Sequence, residues 1–362
     1  MEKTKKRDIN FELLRILCMF MIVVWHYNTH GGALYNTELL NFILASTTQA
    51  FCAVAVNCFV LITGYYLVIK KFKFEKIFRL WCKVFFYSFT IFVIFIILGK
   101  TNISDANTLR SILPIINNNY WFITAYFVLY LTFPFLNILI KNISKSQYIY
   151  LLVILSIFLI FVNNFSPFED SIFNINRGGS YIWFVFLYLL AGYIRLYYKD
   201  KENKYSYLLI YIICCILSAS SNMIIQILSY RYDFLKTYIG ISYNNATVCS
   251  ALGAIMLFLF FKNIDIKNKK FDNMIITVSS TTLGIYLIHD NPYVCSVLWK
   301  NILHTDKFYS SPIYIIHLIV SSVSIFVVCS LISYFVNKLL TKFKFKKTNR
   351  LDKLDNMLNS NL

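Results

Sequence analysis

Residues 11–26 of this chain read FELLRILCMFMIVVWH, and this stretch decides the class of the fold. It belongs to an apolar run from about Ile9 to Tyr27, long enough to cross the hydrocarbon core of a bilayer as a helix. Three ionisable side chains, Glu12, Arg15 and His26, interrupt the run. A charged group inside a membrane costs about 2.5–3.5 kcal/mol, so such groups are candidates for function.

Arg15 and His26 share one face of the predicted helix. After three helical turns, the two side chains point within about 20° of the same direction around the helix axis. They are separated by about 16 Å along that axis. A cation near one membrane surface is thereby aligned with a titratable imidazole near the other. The spacing indicates chemistry that reaches across a membrane.

The rest of the chain has the same character. It has 362 residues, of which 58% are hydrophobic and only 14% charged, against about 25% charged in soluble domains. Long apolar runs recur, which predicts an all-α, polytopic integral membrane protein of about ten transmembrane helices. The candidate spans are about 9–28, 47–69, 77–98, 121–140, 148–163, 180–197, 205–228, 244–261, 274–298 and 312–337.

The net charge of +18 follows the order of these spans. Most lysines and arginines fall in every second connecting segment, starting with the N-terminus and ending with the C-terminal tail. The positive-inside rule then predicts cytoplasmic N- and C-termini. Basic segments at that surface also attract anionic membrane lipids, so the charge needs no nucleic-acid partner.

The chain is expected to divide into a transmembrane domain, 1–337, and a basic, weakly ordered cytoplasmic tail, 338–362. The longest outer loops are predicted at about 28–46, 99–120 and 163–179. No nucleotide-binding loop and no zinc-protease motif occurs in the sequence.

Ionisable residues inside the spans separate by depth. His26, His289 and His317 are predicted in the outer half of the membrane, whereas Arg15, Arg79 and Lys83 are predicted in the inner part, with Lys76 at the inner surface. Arginine and lysine bind phosphates, and a histidine can take a proton from an attacking hydroxyl. A phosphate-bearing thioester such as acetyl-coenzyme A suits both ends of this arrangement.

Each candidate has a structural alternative. Arg15 can simply pair with Glu12, three residues earlier on the same helix. His26 can belong to an interfacial aromatic belt with Trp25 and Tyr27, and His317 can be a packing residue. His30 and His304 are expected to be loop residues without a catalytic role.

The chain resembles the acyltransferase 3 family of integral-membrane acyltransferases, which carries Arg-x10-His in its first helix. Arg15 and His26 match that motif, and four further blocks occur in the family's order: NCFVLITGYYL (57–67), IFRLWCKVFFY (77–87), YWFITAYFVLYLTFPFLN (120–137) and LGIYLIH (283–289). Two departures occur. Thr63 stands where serine is usual, beside Gly64, a residue that lets helices approach closely. Arg79 lacks its usual neighbouring arginine, which Lys76 can replace.

The resemblance implies a bacterial plasma-membrane O-acyltransferase with acetyl-coenzyme A as donor substrate and no permanently bound cofactor. The expected acceptor is a hydroxyl of a surface polysaccharide or of its lipid-linked precursor. His26 is expected to act as general base or transient acyl carrier, and Arg15, Lys76 and Arg79 to hold the donor. His289, Trp121 and Tyr130 are candidates to contact the acceptor, no metal site is implied, and a homodimer is possible.

Three other classes remain open from the residues alone. A transporter or flippase also needs charged groups in a membrane cavity, but would move glycan without consuming acyl-coenzyme A, and the internal repeats common in transporters are absent from the sequence. A polysaccharide polymerase would require a large catalytic outer loop. A non-catalytic scaffold has no reason to keep Arg15 and His26 on one buried face.

Overall fold

The described parts of the protein are α-helices joined by turns and by short 3-10 and π-helical segments. This computed structural model describes residues 7–35, 38–162, 176–199, 203–266, 269–342 and 349–360, and none of these residues forms a β-strand. The helices are α1 Ile9–His30, α2 Leu39–Cys52, α3 Ala55–Leu67, α4 Phe74–Ile97, α5 Asp105–Ile112, α6 Trp121–Asn142, α7 Lys145–Ser156, α8 Tyr181–Tyr197, α9 Tyr205–Ser229, α10 Val248–Lys262, α11 Asp272–His289, α12 Pro292–Val297, α13 Thr305–Phe308, α14 Tyr314–Leu340 and α15 Asn349–Asn359.

Eight helical segments in the described parts of the chain are long and apolar enough to cross a membrane. They are Ile9–His30, Leu39–Leu67, Phe74–Ile97, Trp121–Asn142, Lys145–Val162, Tyr205–Ser229, Asp233–Lys262 and Tyr314–Leu340. The two remaining predicted spans coincide with α8, which has 17 residues, and with α11, which has 18. The predicted all-α, multi-pass architecture is therefore confirmed.

The second predicted span begins earlier than the sequence indicated. Helix α2 starts at Leu39, inside the expected outer loop 28–46, and a break at Ala53 and Val54 separates it from α3. The apolar pattern missed this start because α2 carries polar residues that are satisfied inside the protein. Buried Asn41, for example, donates hydrogen bonds to two backbone carbonyl oxygens, at 3.0 and 2.9 Å.

The ninth predicted span, 274–298, also contains a break. Helix α11 ends at His289 and α12 begins at Pro292. Proline lacks an amide proton and fits the first turn of a helix. The Oδ1 atom of Asn291 accepts a hydrogen bond from the amide of Tyr293 at 3.0 Å. The hydropathy pattern does not show this break because the residues on both sides of it are apolar.

Two further outer loops were expected. In the loop 163–179, residues 163–175 lie outside the described residues, and the loop 99–120 contains helix α5.

The helices group into two compact units, and each is described by itself. The first comprises Met1–Phe59, Asp200–His289 and Val297–Lys338. Helix α1 packs there against α2, α10 and α11, and α9 packs against α2 and α10. The rings of Phe11 and Phe258 stack with their centroids 5.1 Å apart, joining α1 to α10. Helix α1 thus packs against three neighbouring helices of this unit.

The second unit comprises Val60–Lys199, Asp290–Ser296 and Leu339–Leu362. Within it α8 packs against α6 and α7. A Cβ atom added to Gly64 on α3 would lie 2.9 Å from the Cβ of Ala191 and 3.0 Å from the Cα of Tyr188. Real Cβ atoms are essentially never that close, so the close helix approach predicted at Gly64 is confirmed. Asn137 on α6 supports the same region: its Nδ2 atom donates to the carbonyl of Leu67 at 3.1 Å.

The C-terminal tail contains structure that the sequence analysis did not expect. Residues Asn349–Asn359 form helix α15, which packs against α4 within the second unit. Asp355 on this helix is only 6% exposed. The expectation of a weakly ordered tail is therefore wrong for this helix, because Asp355 and Asn359 form specific hydrogen bonds with the backbone of another segment.

Candidate active site

Two predicted site histidines are in direct contact in the first unit. His26 lies near the end of α1, and His289 is the last residue of α11, which packs against α1. The Nδ1 atom of His26 is 2.9 Å from the Nε2 atom of His289. His289 is fully buried, whereas His26 is partly exposed. The sequence predicted similar depths for these residues, and the structure shows that they form a hydrogen bond.

A backbone carbonyl fixes the direction of this hydrogen bond. The Nδ1 atom of His289 is 2.6 Å from the carbonyl oxygen of Ile285, one turn earlier. An oxygen of this kind only accepts, so Nδ1 of His289 carries the proton and its Nε2 accepts in the neutral ring. Nδ1 of His26 is then the donor, and the lone pair of a neutral His26 lies on Nε2. That nitrogen can take a proton or attack an acyl carbon.

His30 extends the group of imidazole rings. Its ring centroid is 4.9 Å from that of His26, one helical turn away, and 6.2 Å from that of Trp299. The expectation that His30 is a loop residue is wrong, because α1 continues through it. His304 does lie between helices, immediately before α13.

His317 has the contacts of a packing residue. Its Nδ1 atom is 2.7 Å from the hydroxyl oxygen of Tyr27. Its ring is stacked on Phe308, with centroids 3.8 Å apart and planes 7° from parallel. Tyr27 is fully buried and adjacent to His26. His317 thus supports the helix that carries His26, in agreement with the packing alternative.

The sequence analysis missed a buried amide beside this group. Asn28 is fully buried; its Oδ1 accepts from the hydroxyl of Tyr314 at 2.6 Å, and its Nδ2 donates to Thr48 at 3.0 Å and to Gln49 at 3.2 Å. These bonds connect the last turns of α1 to α2 and α14. The available signal was a carboxamide at the end of an apolar span, where an amide needs hydrogen-bond partners inside the protein.

Arg15 forms the ion pair that the sequence offered as an alternative role. Its Nη1 atom is 2.7 Å from Oε1 of Glu12, one turn earlier. Glu12 is only 5% exposed, and its other oxygen accepts a hydrogen bond from the hydroxyl of Ser279 on α11. The Arg15 side chain is 28% exposed, and the pair engages one of its two terminal nitrogens. The guanidinium therefore retains donors for a phosphate while one of its terminal nitrogens pairs with Glu12.

The other predicted donor ligands lie in the second unit, at the start of α4. Nη2 of Arg79 is 2.7 Å from Oε1 of Glu75, and its Nε is 2.8 Å from the same atom. Lys76 and Arg79 are both exposed. An incoming phosphate would compete with Glu75 for Arg79.

Trp121 and Tyr130, the remaining candidates, stand on α6 in the second unit. Trp121 is partly exposed and packs against Phe184, with ring centroids 6.2 Å apart. Tyr130 is 5% exposed, and its hydroxyl donates to the carbonyl of Lys73 at 3.2 Å, the geometry of a residue that supports the backbone.

A residue next to Trp121 was also missed by the sequence analysis. The hydroxyl of buried Tyr120 accepts from Asn291 Nδ2 at 2.7 Å, within the second unit, and burial raises the pKa of this tyrosine. A tyrosine within a motif block was the only sequence signal, and the pairing with Asn291 could not be read from it.

The family model described as an acyltransferase domain, of the acyltransferase 3 family, matches residues 8–344. No curated protein and no solved structure matches the chain. The match includes α1 with Arg15 and His26 and every helix through α14. The chain therefore belongs to the acyltransferase 3 family, and it is a membrane acyltransferase.

Proposed function

We propose that this protein is an O-acyltransferase of the bacterial plasma membrane. It moves an acyl group, with acetyl as the proposed group, from cytosolic acyl-coenzyme A to a hydroxyl of a surface polysaccharide or of its lipid-linked precursor. The observation that carries this proposal is the hydrogen bond of 2.9 Å between His26 and buried His289. It supports a base because it orients the His26 ring and directs the lone pair of the neutral ring to Nε2.

The proposed reaction uses His26 as the base. Nε2 of His26 takes the proton of the acceptor hydroxyl as that oxygen attacks the thioester carbonyl carbon. The new C–O bond forms and the C–S bond breaks. The coenzyme A thiolate takes the proton that His26 had accepted, and coenzyme A leaves as the thiol. His289 positions His26 and stabilises the transient imidazolium by accepting from Nδ1. A transient acyl carrier would use the same Nε2 lone pair.

Arginine and lysine side chains bind the donor in this proposal. Phosphates of coenzyme A bind Arg15, Lys76 and Arg79, which the positive-inside pattern assigns to the inner part of the membrane and its cytoplasmic surface. Arg15 suits this role because Glu12 engages only one of its terminal nitrogens, so the other donors of its planar fork can bind a phosphate. The pair with Glu12, at 2.7 Å, also restricts the movement of the Arg15 side chain.

The three residues expected to contact the acceptor differ in how well their burial and hydrogen bonds suit that role. Partly exposed Trp121 offers an aromatic surface for a sugar ring. Full burial of His289 favours positioning of His26 over direct contact with the acceptor. The bond from Tyr130 to Lys73 favours a supporting role for that tyrosine. We therefore assign Trp121 to the acceptor, and His289 and Tyr130 to positioning.

The experiment is an NMR measurement of O-acetyl groups on surface polysaccharide from cells fed 13C-acetate. It compares cells that carry the wild-type protein, His26→Ala, His304→Ala or no protein, with membrane levels matched by blot. His304 is the control because it is a histidine outside the helices.

We expect acetyl signals from wild type and His304→Ala, and their loss from His26→Ala and from cells without the protein. Equal acetylation with and without the protein would contradict a polysaccharide acceptor. Loss of signal only in cells without the protein would contradict the role of His26.

A further inference from the structure

The backbone just before helix α4 is held by side chains from two other helices of the second unit. The amide of Phe72 donates to Oδ1 of Asn359 at 2.7 Å, and Nδ2 of Asn359 donates back to the carbonyl of Phe72 at 3.1 Å. The amide of Phe74 donates to Oδ1 of Asp355 at 2.8 Å. The carbonyl of Lys73 accepts from the hydroxyl of Tyr130 at 3.2 Å. Four backbone polar groups within three residues thus bond to side chains.

This docking is buried and specific. Asp355 is 6% exposed and Phe72 is 1% exposed. The Phe72 ring packs against Tyr130 and Phe133, with centroids 5.5 and 6.0 Å away. A buried carboxylate is costly unless hydrogen bonds satisfy it. The contact of Asp355 with the Phe74 amide therefore stabilises a single docked position of α15.

The contact caps a helix that has no cap of its own. Phe74 is the first residue of α4, and the preceding residue, Lys73, makes no side-chain capping bond. The first amides of a helix need an acceptor and favour a negative charge, and Asp355 provides both from another helix. Lys76 lies in the turn that this bond stabilises, and Arg79 follows one turn later. Loss of the contact would therefore release the turn that carries Lys76 and precedes Arg79.

We propose that Asp355 and Asn359 are positioning residues for the acyl donor, which fix the first turn of α4 so that Lys76 and Arg79 meet the phosphates of coenzyme A. This inference rests on the proposed function, which assigns those cations to the donor. Helix α15 lies beyond the region matched by the family model, which ends at residue 344.

The test measures the binding of acetyl-coenzyme A to the full-length protein in lipid nanodiscs by titration calorimetry, together with the initial rate of acyl transfer in membranes. The variants are Asp355→Ala, Asn359→Ala and the pair, with Asp355→Asn as the conservative change because its amide oxygen still accepts from Phe74. Asp352→Asn and Asn356→Ala are matched controls on the exposed face of α15. Hydrogen exchange at the Phe74 amide reports the cap directly.

We expect the double variant to raise the Kd and KM for acetyl-coenzyme A about 5- to 10-fold while kcat per folded molecule stays within about twofold. Asp355→Asn should keep both the affinity and the slow exchange of Phe74, and the two controls should match wild type.

Unchanged affinity in a folded double variant would overturn the proposal and leave α15 a structural role. If the variant does not fold, an Asp355→Asn protein that binds as weakly as Asp355→Ala would overturn it instead. If wild type itself fails to bind acetyl-coenzyme A, the proposed function fails, and this inference fails with it.

Discussion

His26 and His289 are separated by 263 positions in the chain, and their ring nitrogens Nδ1 and Nε2 lie 2.9 Å apart. The second nitrogen of His289 is tied to the carbonyl of Ile285 at 2.6 Å. Together these bonds form a relay with one direction: the carbonyl orients His289, and His289 orients His26. We therefore expect His289 to affect the reaction only through His26.

The relay predicts that His26 and His289 are coupled. His289→Ala should lower kcat for acyl transfer about 10- to 100-fold with little change in KM for the donor, because His26 remains present but loses its orientation. In the His26→Ala background, the same change should cost almost nothing further. Rates in membranes with matched protein levels, compared as a double-mutant cycle, measure this coupling. Independent effects that add in the double variant would contradict the relay.

The buried carboxylate of Glu12 should be a stability determinant. Glu12→Ala removes the partner of Arg15 and the acceptor of Ser279, and we expect a loss of about 3 kcal/mol of unfolding free energy, the lower end for a broken buried pair because Arg15 is partly exposed. Glu12→Gln keeps an acceptor and should cost less. Unfolding of the detergent-solubilised variants checks the order. Equal stability of wild type and Glu12→Ala would show that the pair is dispensable.

Close packing at Gly64 gives a prediction with a matched control. Gly64→Ala places a Cβ 3.0 Å from the backbone of Tyr188, which cannot move aside, and should cost about 1–3 kcal/mol. Gly253→Ala, on buried helix α10, meets only side chains, the nearest being Val54 at 3.2 Å, so it should cost less. Thermal unfolding of both variants gives the comparison. A larger loss for Gly253→Ala would contradict the assigned contact.

His317 should affect folding and not the chemical step. Tyr27→Phe removes the hydrogen bond to His317 and should cost about 1 kcal/mol of stability. His317→Phe keeps the stacking on Phe308 and should be milder than His317→Ala. The acyl-transfer rate per folded molecule should remain that of wild type for all three. A selective fall of kcat in His317→Phe would instead assign His317 to catalysis.

Hydropathy alone predicted the fold class. Helices that cross a membrane need long apolar runs, and such runs are visible in a single sequence. The runs also located a helix at every predicted span. They could not show the start of α2 at Leu39, since buried polar residues such as Asn41 are satisfied by distant backbone groups. They could not show the end of α11 at His289, since the residues beyond the break are also apolar.

The sequence singles out candidate residues for the site but not the contacts between them. Arg15 and His26 stand out because ionisable groups in an apolar run are rare. The bond between His26 and His289 and the network of Asn28 depend on which helices pack together, and a single sequence carries no direct record of that. Helix α15 was missed for a similar reason: its polar residues read as a solvated tail until the partners of Asp355 and Asn359 are known.

The central claim is that His26 promotes acyl transfer from a cytosolic donor. The most direct measurement supplies 14C-acetyl-coenzyme A to inverted membrane vesicles and counts label in lipid-linked and polymeric glycan. We expect incorporation by wild type and a fall of about 100-fold or more in His26→Ala, the usual size of a base contribution. Equal incorporation by His26→Ala and wild type, with matched protein in the vesicles, would contradict the account.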